Sequence, residues 1–193
     1  MNKLILASSS PRRKDLLTDL GVNFEIQVSD IDESLLDNES SQQLVFRLAQ
    51  EKARAIANIH PERFVLAADT IVYLEQSGKE VILGKPKDES DAFSMLKLIQ
   101  GRAHKVATAY SLQCLEKKIN LTKIVNTLVQ FVALDDNEIK KYIATKEPLD
   151  KAGSYAAQGR GASFIERIEG SYTNVVGLPL AEVSQDLKKY DLL

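Results

Sequence analysis

The spacing of apolar residues switches repeatedly between the strand period of two and the helical period of 3.6, so the chain reads as strands and helices in alternation, an α/β fold. An apolar run within residues 3–8 opens it, and Leu16, Leu17 and Leu20 then predict a helix over 11–20 that stops at Gly21. Val22 to Val28 alternates as a second strand. A long amphipathic helix follows from Ser40 or Ser41 to about Asn58, its apolar line passing through Leu44, Leu48 and Ile56. Phe64 to Leu74 reads as the central buried strand. Asp88 to Gln100 predicts a helix capped by Asp88 or Ser90, with Phe93, Leu96 and Ile99 or Met95 inward and Gly101 as its stop. β-branched alternation over 103–115 and 119–134 gives two long strands, antiparallel neighbours through a turn near Lys117. A short helix at Asn137–Ala144, a glycine-marked loop over Asp150–Gly161 and a strand over Ala162–Ile168 come next. A loop at Gly170–Gly177 and a closing helix from Pro179 to Tyr190 complete the reading.

The candidate chemistry lies where polar residues interrupt this pattern. The first strand breaks into Ser8, Ser9 and Ser10, then Pro11, then Arg12 and Arg13 at the head of a helix. A helix N-terminus carries partial positive charge, so two arginines there oppose the helix dipole unless an anion offsets them. Ser10 suits the N-cap and Pro11 the first helical position, which leaves backbone N–H groups directed at such an anion. Both arginines continue the stripe of Leu16, Leu17 and Leu20 and so face inward, favouring a phosphate site over a solvated basic turn. Lys52 interrupts the apolar line of the long helix, either snorkelling from the core face or reaching into a pocket. Asp69, with Thr70 after it, sits in the middle of the central strand. A carboxylate in so apolar a run must be paired, hydrogen-bonded or metal-bound, which makes Asp69 the strongest catalytic candidate; an acid satisfied by a helix end or a neighbouring lysine is the structural alternative. Lys85, on the turn Gly84-Lys85-Pro86, offers a further cation. Asp30, Asp32 and Glu33 crowd a loop that is either solvated linker or a source of metal ligands.

Composition narrows the partners. A formal net charge of −2 gives no general attraction to nucleic acid or anionic membrane, so any anion site is local. The single cysteine, Cys114, excludes an intrachain disulfide framework, and His60 and His104 have no metal-ligand spacing. The apolar run at the N-terminus is too short for a signal peptide or membrane span, so a cytoplasmic protein is expected. A length of 193 residues suits one domain, or one domain with two lobes.

Taken in order, several pieces resemble the Maf family of nucleoside triphosphate pyrophosphatases. They are Ala7 to Arg13, Glu51-Lys52-Ala53, Ala68-Asp69-Thr70, Gly84-Lys85-Pro86, Asp150 to Tyr155 with Gln158-Gly159, and Gly170-Ser171-Tyr172 through Gly177-Leu178-Pro179-Leu180. Each piece is weak, whereas the ordered set is specific and spans nearly the whole chain. Asp150-Lys151-Ala152-Gly153 with Tyr155 and Gln158 resembles the dTTP/UTP branch; the 7-methyl-GTP branch typically carries Cys-Ala-Gly-Ser-Phe and a Ser-Glu pair where Ala157 and Gln158 stand. Two departures are Ser9, where the family often has Gly or Ala, and Ala156, where the pyrimidine branch commonly has Gly.

The resemblance implies hydrolysis of dTTP and UTP at the α–β phosphoanhydride, giving the monophosphate and pyrophosphate. Asp69 would activate water or hold the metal that does so, with Glu33 beside it near a divalent cation such as Mg, Mn or Co. Ser8, Arg13, Lys52 and Lys85 would bind the triphosphate, while Arg12, Thr70 and Gln158 would influence the base accepted. A glutamine amide both donates and accepts, so Gln158 matches adjacent groups on a pyrimidine edge. The fold implied is Maf/ITPase-like: a single domain over 1–193 with an elongated mixed β-sheet flanked by helices and two lobes around a central cleft, and a homodimer. A broader or purine-directed pyrophosphatase and a nucleotide-binding regulator of septum formation are the alternatives.

Overall fold

A computed structural model describes residues 4–193. The strands are β1 (Leu4–Leu6), β2 (Phe24–Ile26), β3 (Phe64–Gln76), β4 (Lys79–Leu83), β5 (Ala103–Cys114), β6 (Ile119–Phe131) and β7 (Ile165–Glu169). The α-helices are α1 (Pro11–Asp19), α2 (Ser41–Ile59), α3 (Glu89–Ile99), α4 (Asp136–Ile143), α5 (Tyr172–Val176) and α6 (Leu180–Lys188). Strands hydrogen-bond in the order β2-β1-β3-β5-β6-β7, with β4 added to β3. β1 is parallel to β2 and β3, whereas β3–β4 and β6–β7 are antiparallel, so the sheet is mixed. β3 holds an interior position, as its apolar flanks on either side of Asp69 and Thr70 predict.

The chain divides into two compact units, 1–69 with 108–125 and 177–193, and 70–107 with 126–176. In the first, α2 lies on β1 and β3 through Ala53, Ile56 and Ala57 against Ile5, Ala7, Val65 and Ala67. Ser40 caps α2 reciprocally with Gln43, which places the helix start where the sequence suggests it. A buried acid, Asp186 of α6, accepts hydrogen bonds from Tyr110 at 2.6 Å, Lys123 at 2.9 Å and Lys189 at 2.7 Å. Burial alone would raise its pKa, but these donors hold it down at about 2.

In the second unit, Ala92, Leu96 and Ile99 of α3 and Ile139, Tyr142 and Ile143 of α4 close over Val72, Leu83, Val106, Val129 and Phe131. His104 is buried there edge-on to Phe131 and Tyr155, its Nε2 2.8 Å from the Tyr155 hydroxyl. Burial lowers its pKa from 6.5 to about 4. The folded protein therefore keeps His104 neutral where the unfolded chain already binds a proton. The contribution of neutral His104 to stability is present above pH 6.5 and is lost as the pH falls from there toward 4, by up to about 3 kcal/mol at about 1.4 kcal/mol per pKa unit. Urea unfolding at pH 7 and pH 4.5 is expected to show this loss in the native protein and a clearly smaller one in His104→Gln.

Several boundaries differ from the sequence reading. Lys3 of the first strand lies outside the described residues, and β2 is only Phe24–Ile26. β4 is an addition: Ser77 and Gly78 both have positive φ and form a two-residue hairpin turn, with Gln76 paired to Lys79. The glycine-marked segment after α4 holds short 3₁₀ turns at Glu147–Asp150, Ala152–Ser154 and Arg160–Phe164, the last displacing the start of β7 to Ile165. The expected loop at 170–177 contains α5, whose first turn Ser171 caps by accepting from the Asn174 N–H at 3.2 Å.

Candidate active site

In the first unit, Lys52 and Asp69 meet because helix and strand run past each other. Val65, Ala67 and Asp69 share one face of β3, and Ala57, Ala53 and Lys52 follow the facing side of α2 in the opposite chain direction. Where the apolar contact ends, a lysine faces an acid. Lys52 Nζ lies 2.7 Å from Asp69 Oδ1 and 2.8 Å from Glu33 Oε1. Side-chain exposure is 11% for both Lys52 and Asp69 but 55% for Glu33, so the ammonium links a buried acid to a solvent-facing one. The pair with Lys52 meets the structural need of a buried carboxylate. A second carboxylate on the same ammonium goes beyond that need.

The end of β1 supplies the cationic side. The Ala7 N–H donates to the Leu66 carbonyl at 2.8 Å, continuing the β1–β3 register and carrying Ser8 toward the Asp69 level of β3. Ser8 is buried, and its Oγ accepts from the Ser10 N–H at 3.2 Å and from Arg13 Nη1 at 3.4 Å. Arg13 Nε donates to the Gly177 carbonyl at 2.8 Å, fixing the guanidinium inward. Burial lowers the Arg13 pKa; the charges of Asp69 and Glu33 oppose this, and that of Arg12 adds to it. Those opposing effects are the electrostatic sign of a shared neighbourhood. Ser10 caps α1 with Pro11 in its first turn, and both arginines are half-buried beside the buried Leu16 and Leu17. The carboxyl end of a strand running into a helix N-terminus is where open α/β sheets take anionic ligands.

Arg47 is a contributor that the pattern of apolar residues does not reveal. One and a half turns before Lys52, it donates to Glu39 at 2.7 and 2.8 Å and to the Ser34 carbonyl at 2.9 Å, tethering the acidic loop to α2. Glu39's hydrogen bond raises the Arg47 pKa, and Asp32 folds the loop by accepting from the Ser34 N–H at 2.9 Å. Glu33 is thus presented from an ordered loop. The signal of Arg47 in the sequence is faint, since a half-buried helical arginine with acids nearby is commonplace.

Thr70, half-buried, follows Asp69 on β3 and opens the second unit. Lys85 is exposed on the turn after β4. The Gly153 N–H donates to the Gly84 carbonyl at 3.1 Å, which joins that turn to the segment leading to the exposed Gln158. The described geometry thus gathers Ser8, Arg13, Lys52, Asp69 and Glu33 in the first unit, and draws Lys85 and the 153–158 segment together in the second.

The Maf-like protein family matches residues 3–190. The chain belongs to the Maf family. Curated relatives extend the likeness over nearly the full length of this Maf protein. One from Desulfotalea psychrophila is 49% identical, covering 98% of this chain and 95% of its own; one from Bacillus cytotoxicus is 48% identical, with 99% and 97% covered. A third, from Clostridioides difficile, is 47% identical over 97% of this chain and 94% of its own. Each of the three is named dTTP/UTP pyrophosphatase.

The donor set of this Maf site suits a hard divalent cation. Asp69 and Glu33 each place a carboxylate oxygen within hydrogen-bond distance of the Lys52 ammonium, at 2.7 and 2.8 Å. Two carboxylates are what a Mg²⁺ ion uses when phosphate oxygens and waters complete its coordination.

Proposed function

We propose that this protein is a nucleoside triphosphate pyrophosphatase acting on dTTP and UTP. The observation that carries the reading is the buried Asp69, paired with Lys52 and joined by Glu33, close to the inward Arg13 at a strand end. The names of the relatives support the reaction and the pyrimidine base, and favour them over a purine-directed enzyme or a regulator without turnover.

Hydrolysis of the α–β anhydride adds water across one bond: its oxygen joins the α-phosphorus, pyrophosphate leaves, and a proton must be taken up. Asp69 accepts that proton, or orients the water that loses it. Lys52, Arg13 and Lys85 neutralise the triphosphate as charge builds on the leaving pyrophosphate, and Ser8 donates to a phosphate oxygen. Arg12, Thr70 and Gln158 act on the choice of base. Asp69 and Glu33 would hold a divalent cation, Mg, Mn or Co, which would neutralise phosphate charge and make the attacking water easier to deprotonate. We extend the reading to a homodimer in the cytoplasm. Among the described residues no helix is long and apolar enough to cross a membrane.

The test is a panel of UTP, dTTP, CTP, GTP and 7-methyl-GTP with Mg²⁺, Mn²⁺ or Co²⁺, products separated by chromatography. Monophosphate and pyrophosphate are expected, fastest from UTP and dTTP. Orthophosphate with a nucleoside diphosphate would refute the reaction, and faster turnover of a purine would refute the base.

A further inference from the structure

Gln158 projects from a segment held on both sides by one buried tyrosine and one half-buried glutamate, neither of which the reaction uses. Tyr142 of α4 accepts from the Ala156 N–H at 3.2 Å and donates to Glu147 Oε1 at 2.9 Å. Glu147 in turn accepts from the Gly161 N–H at 2.9 Å and, through Oε2, from the Arg160 N–H at 3.0 Å. The backbone is therefore anchored two residues before Gln158 and again two and three residues after it, and both anchors end on one Tyr142–Glu147 hydrogen bond.

The glycines around Gln158 fit this clasp. Gly159 has a φ of +83°, and a Cβ there would stand 2.8 Å from Glu147 Oε2. A Cβ on Gly161 would stand 2.6 Å from the Tyr142 hydroxyl. Side chains at these two positions would drive the backbone off its anchors. Glu147 is suited to the role as an anion, because a carboxylate accepting backbone N–H bonds makes stronger bonds than a neutral acceptor. Burial works against its ionisation, but the N–H groups of Gly161 and Arg160 and the Tyr142 hydroxyl leave its pKa below the ordinary value. Between the anchors lie Ala157, whose carbonyl accepts a long hydrogen bond from the Tyr172 hydroxyl at 3.5 Å, then Gln158 and Gly159, and Gln158 is exposed.

We infer that Tyr142 and Glu147 are positioning residues for base selection: they fix the backbone that carries Gln158 and so set the direction in which its amide meets the nucleobase. The inference rests on the reading of Gln158 as the group that contacts the base. Hydrogen-bond discrimination depends on donors and acceptors being held in place, and a loosened loop lets the amide meet a wrong edge nearly as well as the right one.

The test compares kcat and KM for UTP and GTP in the native protein and in Tyr142→Phe, Glu147→Gln, Glu147→Ala and Gln158→Ala. The expected result is a fall of about tenfold or more in the UTP-to-GTP ratio of kcat/KM in Glu147→Ala and Tyr142→Phe, carried by KM for UTP. Glu147→Gln, which keeps one acceptor oxygen, should lie between them and the native protein. Amide hydrogen exchange over residues 156–161 should quicken in the same order. Tyr142→Phe preserves the buried ring and serves if Glu147→Ala fails to fold. A parallel loss on both nucleotides with the ratio unchanged, while Gln158→Ala lowers the ratio, overturns the inference and leaves the base reading intact. An unchanged ratio in Gln158→Ala overturns both.

Discussion

Asp69→Asn is expected to lower the rate of pyrophosphate release from UTP by about 10²- to 10⁴-fold, the range typical of losing a positioned general base. The substitution changes little else. Asparagine has the same shape, and its carbonyl oxygen still accepts from Lys52, which sits 2.7 Å from Asp69 Oδ1 in the native protein. The strand is also insensitive to the change, since its neighbours Ala67 and Ala68 are fully buried through backbone pairing and apolar contact that the amide leaves untouched. The far-ultraviolet spectrum should therefore stay native while turnover falls, and the melting temperature should drop less than on removal of Lys52, because Lys52 keeps Glu33 as an anionic partner 2.8 Å away. Steady-state kinetics with KM resolved from kcat makes the result specific: loss of a proton acceptor lowers kcat, whereas loss of a phosphate contact raises KM. Retention of more than about a tenth of the native kcat would remove Asp69 from the proton-accepting role, whatever its part in binding.

Asp69 and Lys52 are legible in the sequence for a physical reason. Both break apolar patterns that are otherwise regular, and a charge in such a place needs a partner that only tertiary structure supplies. Their pairing follows from two periodicities, 2.0 along β3 and 3.6 along α2, once the helix is laid on the strand. The long elements are legible for the same reason: α2, α3, α6, β3, β5 and β6 carry enough periods for the pattern to outweigh local exceptions. Short elements are not. β4 depends on the positive φ of Ser77 and Gly78, and α5 depends on a cap from Ser171, so each is set by one or two residues. Glu147 and Tyr142 were hidden differently. Glu147 stands among the polar residues of a loop, and Tyr142 occupies an ordinary core position of α4, where its hydroxyl has no signature in the pattern. Arg47 likewise gains its meaning only from the loop that folds back to it.

Lys52→Met separates what the lysine does for the fold from what it does for the reaction. Its removal leaves Asp69, only 8% exposed, without the cation 2.7 Å away, and breaking a buried ion pair from one side typically costs about 3–5 kcal/mol. Arg13's charge and the exposure of Glu33 soften this, so a loss of about 3 kcal/mol is expected, on the order of 10 °C in melting temperature for a chain of this size. Pyrophosphate release should also fall by at least about tenfold, since a cation facing the phosphates is gone. Low activity could then reflect either instability or chemistry, and the double variant Lys52→Met/Asp69→Asn distinguishes them. It removes the uncompensated buried charge along with its partner, so most of the lost melting temperature should return. Activity should not return, because neither the proton acceptor nor the phosphate-facing cation is restored. If the double variant stays as unstable as Lys52→Met, the cost lies in packing of the lysine stem and the buried charge is not its origin. If stability and activity return together, the pair is purely structural and the acid of this site must be sought elsewhere.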